Sequence, residues 1–98
     1  MDRRDLMNLF EECIGCRWTI PLLRAIERGT RRPGALEKAL GEISTKVLNE
    51  RLQRMLQFDL IRKQTFNETL PRVEYTLTAR GERIVRLLEE AERIVSDE

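Results

Sequence analysis

The stretch Ile43-Ser44-Thr45-Lys46-Val47-Leu48-Asn49-Glu50-Arg51-Leu52-Gln53-Arg54-Met55-Leu56-Gln57 decides how this chain is read. Val47, Leu48, Leu52, Met55 and Leu56 return at the helical period and gather on one side, with Lys46, Asn49, Glu50, Gln53 and Gln57 opposite. Ser44 can accept a hydrogen bond from a first-turn N–H, which makes it a good N-cap, so the pattern predicts a helix over 44–57. Upstream, residues 34–40 fit a short helix that buries Leu36, Ala39 and Leu40 and stops at Gly41. Only Glu42-Ile43 and the caps separate the two, which is a helix–turn–helix in outline. Downstream the apolar pattern changes from helical to alternating. Residues 60–66 suit a strand, Val73, Tyr75 and Leu77 alternate along 72–77, and the polar loop Asn67-Glu68-Thr69-Leu70-Pro71 joins the two as a hairpin.

Outward from this centre, Leu6, Met7, Phe10, Cys13 and Ile14 form one stripe of a helix over about 5–14. A second helix is expected over about 19–28, with Ile20, Leu23 and Ile26 as its apolar set, Pro21 in its first turn and Gly29 at its end. Arg31-Arg32-Pro33 reads as a short extended linker, because Pro33 disfavours helical backbone at Arg32. Thr78 can cap a last helix over about 79–95, whose stripe is Ile84, Leu87, Leu88, Ala91 and Val95. The expectation is a single domain over 1–98, mainly α with a small β-hairpin (α+β).

At 98 residues, with 41% hydrophobic and 36% charged side chains, the chain is long enough for one modest core and too short for two. No apolar run approaches the roughly 20 residues of a membrane span. Met1-Asp2-Arg3-Arg4-Asp5 leads into no secretory apolar segment, so no membrane partner is expected, and with only two cysteines no disulfide framework can exist, which makes a cytoplasmic address the expectation. Histidine is absent, which removes His general bases, His-dependent triads and ordinary Cys/His zinc sites. The chain is therefore not read as an enzyme, and no catalytic residue, metal site or cofactor is assigned. Charge is uneven along it. Residues 43–72 carry six basic side chains (Lys46, Arg51, Arg54, Arg62, Lys63, Arg72) against three acidic (Glu50, Asp59, Glu68), whereas 73–98 carry four basic against seven acidic. A basic middle beside an acidic end suits a molecule with one polyanion-facing side.

Helix–turn–helix followed at once by a hairpin is the plan of a winged helix. The major groove of B-DNA, about 12 Å wide, accepts one helix whose exposed side chains reach base edges. A flanking hairpin can reach phosphates or the minor groove. The DNA-binding candidates are accordingly Ser44, Thr45, Lys46, Asn49, Gln53 and Arg54 on the helix, with Lys63 and Arg72 on the hairpin. Polar side chains on an exposed helix are commonly just a solvated face, but the order of elements favours double-stranded DNA as the partner. The opposing reading is a winged helix serving as a protein-interaction module without specific DNA binding. Fold does not dictate function, and Glu50 and Glu68 close to the supposed contacts speak for that alternative.

Three stretches, in order, resemble the HxlR-type branch of the winged-helix transcriptional regulators, itself related to the MarR-type regulators. Ile14-Gly15-Cys16-Arg17-Trp18-Thr19 is similar to the family's Ile-Gly-Gly-Lys-Trp-Thr. The segment from Ile43 through Leu52 is similar to its Ile-Ser-x-Lys-x-Leu-x-x-Arg-Leu, and Pro71-Arg72-Val73-Glu74-Tyr75-Thr76-Leu77-Thr78-Ala79-Arg80-Gly81 to its Pro-x-Val-Glu-Tyr-x-Leu-Thr-x-x-Gly. The resemblance covers roughly residues 9–90. It implies a homodimeric DNA-binding regulator of transcription, with its dimer built from the terminal helices and its recognition helix over 44–57. By that mapping Ser44, Thr45, Lys46, Asn49 and Arg54 approach DNA and Arg72 sits on the wing. The chain departs from the family pattern at Arg32-Pro33, where Arg-Phe is frequent, and at Leu56-Gln57-Phe58-Asp59-Leu60, where Glu-x-x-Gly-Leu is. Asp59 must then adopt the left-handed backbone that glycine would take.

So small a domain leaves apolar stripes with little to cover them. They are Leu6, Met7 and Phe10 at one end, and Ile84, Leu87, Leu88, Ala91 and Val95 at the other. Packing them between two copies would set two recognition helices about 34 Å apart, one turn of DNA. The alternative is that both helices fold back on their own domain. The acidic residues Glu82, Glu89, Glu90, Glu92, Asp97 and Glu98 would point away from DNA. Some family members resemble thiol sensors, with the sensing thiol before the first helix, where this chain has no cysteine. Cys13 and Cys16 are therefore expected to pack in the core, with a redox or electrophile switch as the alternative and a four-thiol zinc site across a dimer axis behind it. Trp18 and Tyr75 are also expected in the core, and an unidentified small-molecule effector in the cleft beside the dimer helices is a candidate partner.

Overall fold

The computed structural model describes residues 3–96. In chain order it consists of α1 (Arg3–Leu9), a π-helical turn (Phe10–Ile14), α2 (Thr19–Glu27), α3 (Pro33–Leu40), α4 (Thr45–Gln57), β1 (Ile61–Phe66), β2 (Arg72–Leu77) and α5 (Ala79–Ser96). The strands pair antiparallel as a two-stranded hairpin, with Ile61 opposite Leu77, Lys63 opposite Tyr75 and Phe66 opposite Arg72. This is a winged helix-turn-helix, mainly α with one small hairpin. Its core is a single cluster centred on Leu22, Leu23, Leu36, Leu48, Leu52 and Met55, all fully buried. Each such side chain contributes about 1.5–3 kcal/mol when removed from water.

The N-terminal segment buries a different face from the one its periodicity predicts. Leu9, Cys13 and Ile14 are buried, whereas Leu6, Met7 and Phe10 are exposed. The cause is the π-turn. The Gly15 N–H donates to the Phe10 carbonyl, five residues back, at 2.7 Å. A turn that takes in an extra residue rotates the chain less per residue than an α-helix, so Cys13 and Ile14 come into phase with Leu9 rather than with Leu6 and Phe10. Only glycine fits at position 15, since a Cβ there would lie 2.8 Å from the Phe10 oxygen. On α2 the buried set is Thr19, Leu22, Leu23, Ala25 and Ile26, with Ile20 half-buried.

Two details of α3 also differ from expectation. Pro33 opens the helix instead of closing the linker, because its fixed φ and missing N–H suit the first helical position. Ala39 is exposed and Leu40 half-buried, so Leu36 alone anchors this short helix in the core. Arg32 is extended, with φ −92° and ψ 142°, as the following proline requires. The adjacent Arg31 carbonyl accepts from the Tyr75 N–H at 2.8 Å, so the linker lies along β2.

The helix predicted over 44–57 forms as α4. The Ser44 hydroxyl accepts from the Val47 N–H at 3.1 Å. At the other end Asp59 takes the left-handed conformation, φ 59°. The Leu60 N–H then reaches the Met55 carbonyl (2.9 Å) and the Asp59 N–H the Leu56 carbonyl (3.0 Å), the hydrogen-bond pair of a Schellman turn. The start of α5 is fastened to this turn. The Thr78 hydroxyl donates to the Asp59 carbonyl at 2.6 Å and accepts from the Gly81 N–H at 2.9 Å, while the Thr78 N–H donates to Leu60 at 3.0 Å. Beyond it, Gly81 and Val85 are the buried residues of α5, and Ile84 and Leu88 pack half-buried against the same core. An ion pair between Arg24 and Glu92 (2.8 Å) ties α2 to the far half of α5.

Two stability predictions follow from these contacts. A Cβ at Gly81 would press into the Leu60 carbonyl, which is backbone and cannot swing away. Gly81→Ala should cost about 3 kcal/mol in urea unfolding, whereas Ala79→Gly in the same turn, at an exposed site, should cost about 1 kcal/mol or less. Separately, burial, followed by the neighbouring Cys16, pushes the Cys13 thiol from 9.0 up to about 11, against the opposing pull of Arg51 and Arg54. The folded state thus holds this proton more tightly than the unfolded chain. Its contribution is intact below about pH 9 and is lost as pH climbs to about 11. Burial raises the Tyr75 phenol in the same direction. Cys13→Ala should be less stable at neutral pH yet show a shallower alkaline decline, and an identical decline would remove the thiol as its source.

Candidate nucleic-acid interface

Ile43, only 6% exposed, pins the turn between α3 and α4 to the core. Leu48, Leu52 and Met55 hold the inner face of α4, leaving Thr45, Lys46, Asn49, Glu50, Gln53 and Gln57 exposed along the outer one. That division is the one predicted from the sequence. The hairpin follows α4 after one tight turn, and its first strand packs against α4.

The candidate side chains differ in what already engages them. Ser44 is exposed, with its hydroxyl capping α4. The Thr45 hydroxyl donates to the Glu37 carboxylate and so ties α4 to α3. Lys46, Asn49 and Gln53 are exposed and, among the described residues, make no side-chain hydrogen bond or ion pair. Arg54 is half-buried and reaches back to Glu12 of the π-turn at 3.6 Å. Lys63 on β1 is exposed and has no ion-pair partner among the described residues, and Arg62 beside it, which sequence reasoning did not single out, is in the same state. Arg72 is clamped. Its Nη1 meets Glu68 at 2.7 Å, its Nε meets Glu74 at 2.9 Å, and its guanidinium lies 4.3 Å from the centre of the Phe66 ring. Two carboxylates around one guanidinium give the wing's arginine a net negative neighbourhood.

A second surface is apolar. Leu6, Met7 and Phe10 are 48%, 51% and 40% exposed, and on α5 Leu87, Ile94 and Val95 are 53%, 59% and 70% exposed. Leu87, Ala91 and Ile94 recur at i, i+4 and i+7 and share one face. Ile94 is absent from the predicted stripe, while Ile84 and Leu88 of that stripe rest on their own core. The acidic residues of α5 are partly matched, Glu82 by Arg86 (3.7 Å), Glu90 by Arg93 (2.7 Å) and Glu92 by Arg24 (2.8 Å). Asp97 and Glu98 lie outside the described residues.

Of the two thiols, Cys13 is fully buried and the half-buried Cys16 donates to the Glu12 carbonyl at 3.4 Å. Tyr75 is buried in the core, and Trp18 is half-buried against it with the Arg17 guanidinium 4.9 Å from its ring. Among the described residues no group of three or more Cys, Asp or Glu side chains could hold a metal ion, and no helix is long and apolar enough to cross a membrane.

Comparison with known proteins agrees with this architecture. The model of the HxlR-like helix-turn-helix family matches residues 13–97. A protein of Synechocystis sp., named as an uncharacterized HTH-type transcriptional regulator, is 41% identical over 81 residues, which are 83% of this chain and 60% of that protein. The chain thus spans less than two thirds of that relative's length. YvaP of Bacillus subtilis, named likewise, is 28% identical over 93 residues, covering 92% of this chain and 86% of its own. Among solved structures, a candidate MarR-family transcriptional regulator from Enterococcus faecalis superposes with a TM-score of 0.77 at 34% identity, covering 99% of this chain and 92% of its own. Diamide-treated YodB from B. subtilis superposes with a TM-score of 0.84 at 26% identity, covering 99% of this chain and 94% of its own. These names are those of regulators, not of enzymes. With the family model matching most of its length, this chain belongs to the HxlR-like helix-turn-helix family.

Proposed function

We propose that the chain is a sequence-specific DNA-binding regulator of transcription that works in the cytoplasm as a homodimer, with α4 in the major groove and the β1–β2 hairpin as the wing. The observation that carries this reading is the set of unengaged donors along α4. Lys46, Asn49 and Gln53 stand exposed on the second helix of a helix–turn–helix, with no internal partner among the described residues. Asn and Gln can make paired hydrogen bonds to adenine, and a lysine there can neutralise a phosphate or reach guanine. Family membership and the names of the relatives support the same function. Lys63 and Arg62 extend the positive surface onto the wing. Thr45, Arg54 and Arg72 are better read as residues that hold the interface in shape, since each already has a carboxylate partner.

The homodimer rests on the exposed apolar residues. Leu87, Ala91, Ile94 and Val95 on α5, with Leu6, Met7 and Phe10 near the N-terminus, give two copies a surface to bury. A two-fold dimer also matches a two-fold operator, with half-sites about 34 Å apart.

Fluorescence anisotropy on DNA from upstream of the chain's own gene, against scrambled DNA and over a salt series, tests the reading. Binding should be tighter to the upstream DNA and should weaken steeply with salt. Lys46→Ala should weaken binding to every duplex and lower the salt slope by about one phosphate. Asn49→Ala should cost about 1–3 kcal/mol on the operator and little on scrambled DNA. Unchanged binding in both variants would remove α4 as the recognition helix. In sedimentation, Leu87→Glu should convert dimer to monomer and loosen operator binding with it, whereas a monomeric wild type would sink the dimer.

A further inference from the structure

Glu50 is a misfit on the proposed reading surface. Residues 46, 50, 53 and 57 follow one another at i, i+4, i+7 and i+11, so the Glu50 side chain stands in line between Lys46 and Gln53, with Asn49 alongside. It is exposed and makes no hydrogen bond or ion pair among the described residues. The two cations one turn away leave it unmatched. Lys46 forms no bridge to it, and Arg54 turns toward Glu12 at 3.6 Å. An unneutralised carboxylate facing polyanionic DNA lowers affinity for any sequence unless something in the groove donates to it.

The major groove offers few donors. A carboxylate only accepts, and the base edges there donate only through the cytosine N4 and adenine N6 amines. Guanine presents two acceptors and thymine an acceptor with a methyl group. Adenine's amine lies between its own N7 and the paired thymine O4, two acceptors that repel the second carboxylate oxygen, whereas cytosine's amine has the paired guanine O6 on one side and only a C–H on the other. We infer that Glu50 is a specificity-determining residue that accepts a hydrogen bond from the exocyclic amine of an operator cytosine and rejects guanine or thymine at that position. The inference rests on the DNA-binding reading above. It gives the acidic residue a selective role, in which repulsion from wrong sequences matters as much as attraction to the right one.

Sequence selection from a randomised duplex library, with the wild type and Glu50→Gln side by side, tests it. Anisotropy on the selected and scrambled duplexes at several salt concentrations completes the experiment. The wild type should enrich one cytosine per half-site, and replacing it should weaken binding about tenfold. Glu50→Gln should reduce that preference to less than about threefold and bind scrambled DNA more tightly at low salt. Glu50→Asp, which keeps the charge on a shorter arm, should retain part of the preference. A merely solvated Glu50 would leave the selected bases unchanged in Glu50→Gln, and that result overturns the inference while DNA binding stands. A wild type that binds no duplex at low salt overturns the DNA-binding reading itself, and the inference with it. Glu50 is on the surface, so matching melting curves will show that fold is not what changed.

Discussion

The structure depends on one backbone contact, the seating of Gly81 against the Leu60 carbonyl. Around it, the Thr78 hydroxyl donates to Asp59 and accepts from Gly81, and the Thr78 N–H donates to Leu60. Arg80 adds a hydrogen bond to the Phe58 carbonyl at 3.2 Å. Four elements meet here: the end of α4, the start of β1, the end of β2 and the start of α5. The contact therefore sets where the hairpin leaves α4 and where α5 begins. With no Cβ at position 81, the first turn of α5 can lie directly on the turn that ends α4. The half of the molecule proposed to reach DNA and the half proposed to dimerise meet at this contact as well as across the core they share.

That contact also shows what a sequence makes legible. Ser44, the left-handed position of Asp59, the polar hairpin loop and the capping Thr78 were all readable, because each works through its own local backbone. The π-turn was not. Its signature is a register shift of burial, Leu9, Cys13 and Ile14 in place of Leu6, Met7 and Phe10, and a period chosen in advance hides such a shift. Val85 was missed for a related reason. The apolar residues of α5 occupy more than one face, and sequence spacing does not say which face meets the core. Ala39 erred in the other direction, being too small for its hydropathy to fix its side.

The candidate interface was legible as a list of residues and not as a set of engagements. Periodicity put Lys46, Asn49, Gln53 and Arg54 on the accessible side of α4, yet it could not show that Arg54 turns to Glu12, from a segment some forty residues earlier. Nor could alternation along β2 show that Arg72 is held by Glu68, Glu74 and the Phe66 ring. Each engagement needs tertiary approach. Solvent reaches each of these half-buried arginines, and ion pairs that water reaches contribute only about 0–1 kcal/mol apiece, so their main effect is orientation. They hold two arginines in fixed poses and leave Lys46, Asn49 and Gln53 as the unengaged donors of α4 among the described residues.

This division of labour bears on the low net charge of +1, which is modest for a protein that meets DNA. Non-specific affinity grows with each phosphate neutralised, and a strongly basic surface would hold the chain on any sequence. Here Glu12 pairs with Arg54 of α4, Glu68 and Glu74 hold Arg72 on the hairpin, and Glu50 adds an unbalanced negative charge in the middle of the proposed reading face. On the proposed function, such a surface would gain less from phosphates and more from base edges and from doubling the contact across a dimer. The exposed apolar residues of α5 and the carboxylates around α4 are then two sides of one constraint. On the proposed reading, a chain whose attraction for DNA is weak would still occupy a site firmly once two linked copies read both half-sites together.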